Sequence, residues 1–327
     1  MKPFVSVIGT TFIDVKGFSR HDYNPLGRNL GSIEFVHGGV GRNVAENLAM
    51  LGINTYFVSS VDRSALGSEV AERLKKTRVK LDFLSYAESC GMGMWLAILD
   101  RNGDLAGSIS QMPELSILED IIAKRGRKIM EASGHIVLEI DLNSSISRKV
   151  VELAREHEKK VYGIPGNLEV ILSDRDLLKW TDCFICNDIE AGRLIGKDIA
   201  GIEPEDLVSL LVRFVSLEGI PSMVITLGPR GSVYYDSRTS EAGYQPACPT
   251  KLVDSSGAGD AFFSGTVMGL VNNRPLKEAV QYGTRVASWT IQVEENTCPD
   301  LPFRVREDSL FKNVIAGGDN KINMAVV

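Results

Sequence analysis

The chain has 327 residues, 44% hydrophobic and 24% charged, with a mean hydropathy of zero, ordinary values for one large α/β domain or two smaller ones. A net charge of −6 and a pI near 5.4 argue against nucleic acid or an anionic membrane surface as the main partner, and no apolar run approaches the ~20 residues of a bilayer span. Five scattered cysteines (Cys90, Cys183, Cys186, Cys248 and Cys298) fit reduced thiols in a cytoplasmic protein.

The run Phe4-Val5-Ser6-Val7-Ile8-Gly9 predicts a first strand; its apolar stretch is short for a signal peptide and lacks a small-residue cleavage site. Thr10 to Asp14 are expected as a loop at that strand's C-terminal end, where open α/β sheets place their ligands. Asp14 is then either an acceptor for a substrate hydroxyl or a turn carboxylate. Residues 15–37 hold many turn formers and end in the strand-like Ser32-Ile33-Glu34-Phe35-Val36. His37-Gly38-Gly39-Val40-Gly41-Arg42-Asn43 is a glycine-rich turn that opens a helix, with apolar positions 44, 45, 48 and 51 and Gly52 as its stop. A dinucleotide fingerprint fails here, because Val44 stands where G-x-G-x-x-G needs its third glycine. That removes a nicotinamide oxidoreductase from the field.

From Tyr56 to Val151 strands and helices alternate: a strand at 56–61, a helix from Leu66 to Val79 opened by Gly67-Ser68-Glu69, a strand at 136–141, then a helix from Ser147 to Lys159. Such alternation predicts a doubly wound, mostly parallel sheet flanked by helices. Outside it, apolar runs at 94–99 and 105–109 flank an Asn102-Gly103 turn, a hairpin signal. Asp141 and Asn143 end a strand, and either face a substrate or cap the next helix. Val161 to Asn167 is another strand end. Cys183-Phe184-Ile185-Cys186 has metal-site spacing but sits in a buried-strand pattern without a second pair or nearby histidine. An acidic turn, Asn187-Asp188-Ile189-Glu190, follows it. Ser222 to Tyr235 predicts a hairpin around Thr226, Gly228, Arg230 and Gly231, and Leu276 to Thr290 a helix. Residues 293–300 are polar, and 313–327 are expected as a loosely held tail after a single domain over 1–312.

The most informative stretch is Asp254-Ser255-Ser256-Gly257-Ala258-Gly259-Asp260, between an expected strand at 251–253 and a helix from about Ala258 to Val271. A strand, a tight turn and a helix start together bind anions: the first helical N–H groups lack partners and the helix dipole adds positive charge. Asp260 places a carboxylate inside that cradle. It is either a base for phosphoryl transfer to an alcohol or a first-turn acid that complements the dipole.

This stretch resembles the C-terminal D-T-x-G-A-G-D signature of the ribokinase family of sugar and nucleoside kinases, with Ser255 for Thr. Gly38-Gly39 with Asn43, Ala45, Leu51 and Gly52 resembles the family's N-terminal signature, and Gly9 with Asp14 its first-strand pattern. The resemblance runs from about residue 4 to 310. It implies a ribokinase-like fold, ATP and Mg²⁺ as cofactors, and a small-molecule sugar or nucleoside as partner. By the same resemblance Asp260 is the catalytic base and Gly257, Ala258 and Gly259 the anion hole. Asp14, Gly38, Gly39 and Asn43 hold the acceptor's hydroxyls. Asn187 and Glu190 organise Mg²⁺ through water, Thr226, Gly228 and Gly231 contact ATP, and Asp254 and Ser256 are candidate K⁺ ligands. Strands within about 14–36 and 91–111 form a lid sheet that pairs with its twin in a homodimer. Many members carry Asp before Pro165 where this chain has Ile164, so no role passes to that position. Gly41-Arg42-Asn43, Asp141 with Asn143, and Asn296-Thr297-Cys298-Pro299-Asp300 bring the chain nearest to the family's bacterial pseudouridine kinase branch, with the nucleoside 5′-hydroxyl as acceptor. Ribose, fructose, uridine, cytidine and adenosine are the other acceptors, and a non-catalytic sensor is the rival class.

Overall fold

Runs such as Phe4-Val5-Ser6-Val7-Ile8 and Ser222-Met223-Val224-Ile225-Thr226 are buried along nearly their whole length, which a strand tolerates only where both faces of its sheet are covered. In the computed structural model, which describes residues 4–315, these runs are central strands of a large sheet. In chain order the strands are β1 (Phe4–Ile8), β2 (Phe12–Ser19), β3 (Gly31–Gly38), β4 (Asn54–Asp62), β5 (Leu84–Ala87), β6 (Gly93–Leu99) and β7 (Leu105–Gln111). They continue with β8 (His135–Glu139), β9 (Lys160–Ile164), β10 (Cys183–Asn187), β11 (Ser222–Thr226), β12 (Ser232–Asp236) and β13 (Glu241–Gln245).

The large sheet has the order β13-β12-β11-β10-β9-β8-β1-β4-β5, and only β12 and β13 join it antiparallel. Alternation along β1 sends Val7 to one face and Ile8 to the other. Val7 joins a core made with the helices Val40–Met50, Ala258–Val271 and Leu276–Thr290; Ile8 joins one made with Leu115–Ala132, Ser144–Glu156 and Pro204–Glu218. The expected doubly wound α/β architecture is the observed one.

A second sheet, β3-β2-β6-β7, stands apart from this alternation. Its registers align Asp14 with Val36 and Trp95, and Trp95 with Ser110, on one face. The adjacent row, on the other face, is Val15, Phe35, Leu96 and Ile109. Phe35 and Ile109 there are 59% and 69% exposed, an apolar surface without cover in the single chain.

Several expected boundaries move. Asp14 lies inside β2 and not in a loop, because β2 starts at Phe12 and pairs on both sides with β3 and β6. The helix expected from Ser147 starts at Ser144, since the Asn143 side chain accepts from Ile146 N and caps it. The helix expected from Leu66 spans Ala65–Lys76 and is capped by Ser64, which accepts from Gly67 N. Residues 251–253 form no strand: Leu252 and Val253 are exposed, and Val253 N donates to Ile291 O outside any sheet. The tail expected at 313–327 falls mostly outside the described residues, which end in a short helix, Lys312–Ile315. Cys183 and Cys186 lie buried in β10 with free thiols; burial pushes the Cys183 thiol up to about 12 and Cys186 well above its usual value.

Candidate active site

The helix Ala258–Val271 begins at Gly257, whose φ of 73° is left-handed and whose missing Cβ would run into the Asn296 carbonyl. Glycine is required there on both counts. At Gly259 a Cβ would meet nothing within 4 Å, so open space lies beside the first turn, whose leading N–H groups have no intrahelical partner. The turn fits an anion.

Asp260, in that first turn, keeps a path to solvent but is otherwise enclosed by protein. Burial pushes its carboxyl up to about 7, against the pull of Asn43 and of the Arg42 charge; Asp14 and Glu190 add repulsion. Asn43 Nδ2 donates to Asp260 Oδ2 at 2.7 Å. The two glycine-rich helix starts, distant in sequence, are thus joined side chain to side chain. A carboxyl poised near neutral pH is suited to taking a proton.

Asp14 reaches the same region from the lid. Gly38 leaves it room: a Cβ there would lie 2.5 Å from Asp14 Oδ1. Asn296 Nδ2 donates to Asp14 Oδ2 at 3.1 Å and to His37 O at 3.1 Å, while Asn296 Oδ1 is buried with no partner among the described residues. Burial raises the Asp14 carboxyl, opposed by Asn296, Lys16 and Arg42. Gly39 opens the helix Val40–Met50 as its N-cap residue.

Below the helix starts lies a network of charges in which Arg42 of the N-terminal motif meets Glu46 and Arg73. Arg42 is buried; it donates to Glu46 Oε2 at 2.7 Å, and also to His37 O and Asn43 Oδ1. Arg73 reaches Glu46 Oε1 at 2.9 Å, Glu295 at 2.6 Å and Thr297 Oγ1 at 3.0 Å. Burial works against ionisation of Glu46, but the two guanidiniums outweigh it and hold its carboxyl below the usual range. Glu139, after β1 in space, accepts from Thr10 N at 2.8 Å and Gly41 N at 3.3 Å, and burial pushes it up to about 7. The i,i+4 spacing of Arg42 and Glu46 on a helix was the available signal for this network.

On the other side of the cleft, Asn187 and Glu190 cap the helix Asp188–Ile195 reciprocally: Asn187 Oδ1 accepts from Glu190 N at 2.9 Å, and Glu190 Oε2 from Asn187 N at 2.8 Å. Burial, with Asp141 and Asp188 adding to it, pushes the Glu190 carboxyl up against the pull of the Asn187 amide. No group of three or more His, Cys, Asp or Glu is arranged as a metal site among the described residues. Glu190 leaves its second carboxylate oxygen outside the cap, a hard oxygen donor of the kind that Mg²⁺ takes. Asp141 accepts from Gly166 N and Asn167 N at 2.6 Å each, and from Leu168 N, so it shapes the loop after β9. Asn143 gives its Nδ2 to Glu119 at 2.9 Å besides capping its helix. Neither side chain joins Asp260 and Asn43. Thr226, Gly228 and Gly231 form the β11–β12 turn, with Gly228 and Gly231 at positive φ. Arg230, in that turn, donates to Ile202 O at 2.9 Å. Asp254 and Ser256 face Lys16 of β2, whose ammonium is 3.1 Å from Asp254 Oδ2. Lys16 carries no signal in the sequence pattern, since a loop at Asp14 offers no two-residue strand period to put the two side chains on one face.

A helix start with a raised carboxyl tied to a second glycine-rich helix start fits a kinase for alcohols, and comparison with known proteins shows that class. The chain belongs to the pfkB family of carbohydrate kinases, whose model matches residues 2–303. Guanosine-inosine kinase of Exiguobacterium acetylicum is 36% identical over 292 residues, covering 89% of this chain and 95% of its own. Pseudouridine kinase of Escherichia coli K12 is 28% identical over 301 residues, covering 92% and 94%. Ribokinase of Arabidopsis thaliana, solved with ribose and ATP, has the same fold, with a TM-score of 0.77 over 95% of this chain and 99% of that one at 21% identity.

Proposed function

We propose that the protein transfers the γ-phosphoryl group of ATP to the 5′-hydroxyl of a nucleoside. The observation that carries this reading is Asp260, near pH 7 in its proton affinity and fixed by Asn43 beside an open, amide-lined turn. Asp14, with Asn296 behind it and Gly38, Gly39 and Asn43 around it, holds the ribose hydroxyls. Trp95 lies beside Asp14 on the same lid face and offers a base a flat apolar surface. That surface favours a nucleoside over a free sugar.

Asp260 takes the proton of the 5′-hydroxyl as its oxygen attacks phosphorus and the bond to ADP breaks. The N–H groups at Gly257, Ala258 and Gly259 receive the charge spread over the transferring oxygens. Asn187 positions Glu190, which would hold hydrated Mg²⁺; the ion supplies further charge neutralisation at the phosphates. Thr226, Gly228 and Gly231 are the proposed nucleotide contacts, and Asp141 and Asn143 support the substrate side through the loop and helix that they fix. The exposed Phe35 and Ile109 row is the proposed homodimer contact, and the free thiols fit a cytoplasmic setting.

Two acceptors compete. The guanosine-inosine kinase relative, more similar in sequence, favours a purine nucleoside; the pseudouridine kinase relative, with Gly41-Arg42-Asn43, favours pseudouridine. ATP-dependent phosphorylation of guanosine, inosine, pseudouridine, uridine, cytidine, adenosine, ribose and fructose, compared by kcat/KM, decides between them. Strong preference for a free sugar would refute the nucleoside reading; no turnover with any acceptor would leave a non-catalytic sensor.

A further inference from the structure

Lys16 belongs to the lid, yet its charge is spent on the turn beneath. Two residues beyond Asp14 on β2, it shares that side chain's face of the strand. Its side chain is 9% exposed, and its ammonium lies 3.1 Å from Asp254 Oδ2 and 3.4 Å from Ser256 Oγ. Both oxygens belong to the residues, Asp254 and Ser256, that the family resemblance offers to K⁺. Asp254 Oδ1 is committed as well, accepting from Ser256 N at 2.7 Å. A K⁺ ion on Oδ2 would share one oxygen with an ammonium in a partly dry site, where like charges are poorly screened. As arranged here, Asp254 and Ser256 do not fit K⁺.

We infer that the Lys16 ammonium does the work of a bound monovalent cation at this turn: it neutralises Asp254, holds residues 254–257 in shape for the phosphoryl group, and couples that turn to the lid. The turn's task rests on the kinase reading above; the pairing of Lys16 with Asp254 does not. Lys16 is thus a positioning residue, and the reaction it supports is indifferent to K⁺. Removing its charge should convert Asp254 and Ser256 into a site that K⁺ can fill.

The test compares KCl with tetramethylammonium chloride at equal ionic strength, the second cation being too large for the turn. Wild type, Lys16→Met and Lys16→Met with Asp254→Asn are each followed by thermal unfolding without substrates and by nucleoside phosphorylation with MgATP. Wild type should unfold at the same temperature in both salts and change in kcat/KM by less than about twofold, since a cation that does not bind cannot stabilise. Lys16→Met should lose roughly tenfold or more in tetramethylammonium, the scale of a charge-assisted hydrogen bond. KCl should restore much of that loss and raise its unfolding temperature, and the double variant should lose both responses. Activation or stabilisation of the wild type by K⁺ overturns the inference, and that arm needs no variant to fold. So does a Lys16→Met protein that behaves identically in the two salts, or a double variant that still responds to K⁺. Should wild type phosphorylate nothing in either salt, the kinase reading falls, while the unfolding comparison still decides the role of Lys16.

Discussion

In the proposed mechanism the groups that meet the phosphate at the start of the helix Ala258–Val271 are main-chain amides, whereas those that meet the acceptor on the second sheet are side chains on alternate strand positions. An amide presents the same hydrogen whatever residue carries it, so the first region fixes a type of reaction and little else. The lid row of Asp14, Val36, Trp95 and Ser110 can change residue by residue while the strands keep their register. The two regions also differ in cover. The turn at 257–260 rests on Asn296, Asn43 and, one layer below, the Arg42–Glu46–Arg73 network; the far side of the lid is exposed. In the proposed mechanism the chemistry lies on the packed helix start and the choice of acceptor on the thinner second sheet, tied to the rest of the site through Lys16 and Asn296.

The largest effect is expected at the rigid end. Asp260→Asn should lower kcat by about 10³-fold, the scale of a lost general base, with KM changed little. Ordinary turnover by this variant would sink the assignment. The same group sets a pH profile: the free carboxyl must lose its proton, so kcat/KM should fall about tenfold per unit below about pH 7 and level off above it. Stability runs the opposite way. The folded carboxyl holds its proton up to about 7 and the unfolded one only to its ordinary 3.8, so wild type loses stability as pH rises through that window. Asp260→Asn removes part of this loss and should be the more stable protein at pH 8. Glu139, also raised to about 7, keeps a residual slope of the same sign.

Next comes the layer beneath. Glu46→Gln leaves two guanidiniums facing each other with Arg42 buried, and should cost about 3 kcal/mol in chemical denaturation. A loss under about 1 kcal/mol would mean that the network is no more than a surface pair in energy. On the lid the expected effect is smaller and selective. Trp95→Ala should raise KM for the nucleoside about tenfold, the usual worth of one stacked base, and leave any ribose activity nearly unchanged. Equal effects on nucleoside and ribose would remove Trp95 from base recognition.

Legibility in the sequence followed the same division. The strand and helix alternation, the helix start at Gly39 and the turn at Gly257 were readable because backbone geometry restricts which residues fit. Asp14, by contrast, has the look of a loop residue: Phe12 to Ser19 mixes polar and apolar residues, and only pairing with β3 and β6 makes it a strand. Lys16, Glu139 and Arg73 carry no local signal, since their partners lie 27 to 238 residues away in the chain. Asn143 shows the reverse case, a motif-like residue whose capping role was already written in its position before a helix.

The smallest change in activity is expected where the lid faces away from the cleft. Phe35 and Ile109 end one cross-strand row with Val15 and Leu96 between them, so a charge at Ile109 places an unpaired ammonium in any apolar contact made along that row. Ile109→Lys should therefore lower the molar mass measured by light scattering from that of a dimer to that of one chain. Its position on the opposite face from Asp14 and Trp95 should hold kcat/KM within about threefold of wild type. A dimer that survives this substitution must use another surface. A monomer that loses activity by orders of magnitude would show that the second sheet needs its twin to hold Asp14 and Lys16 in place, so that dimer contact and acceptor binding are one device and not two.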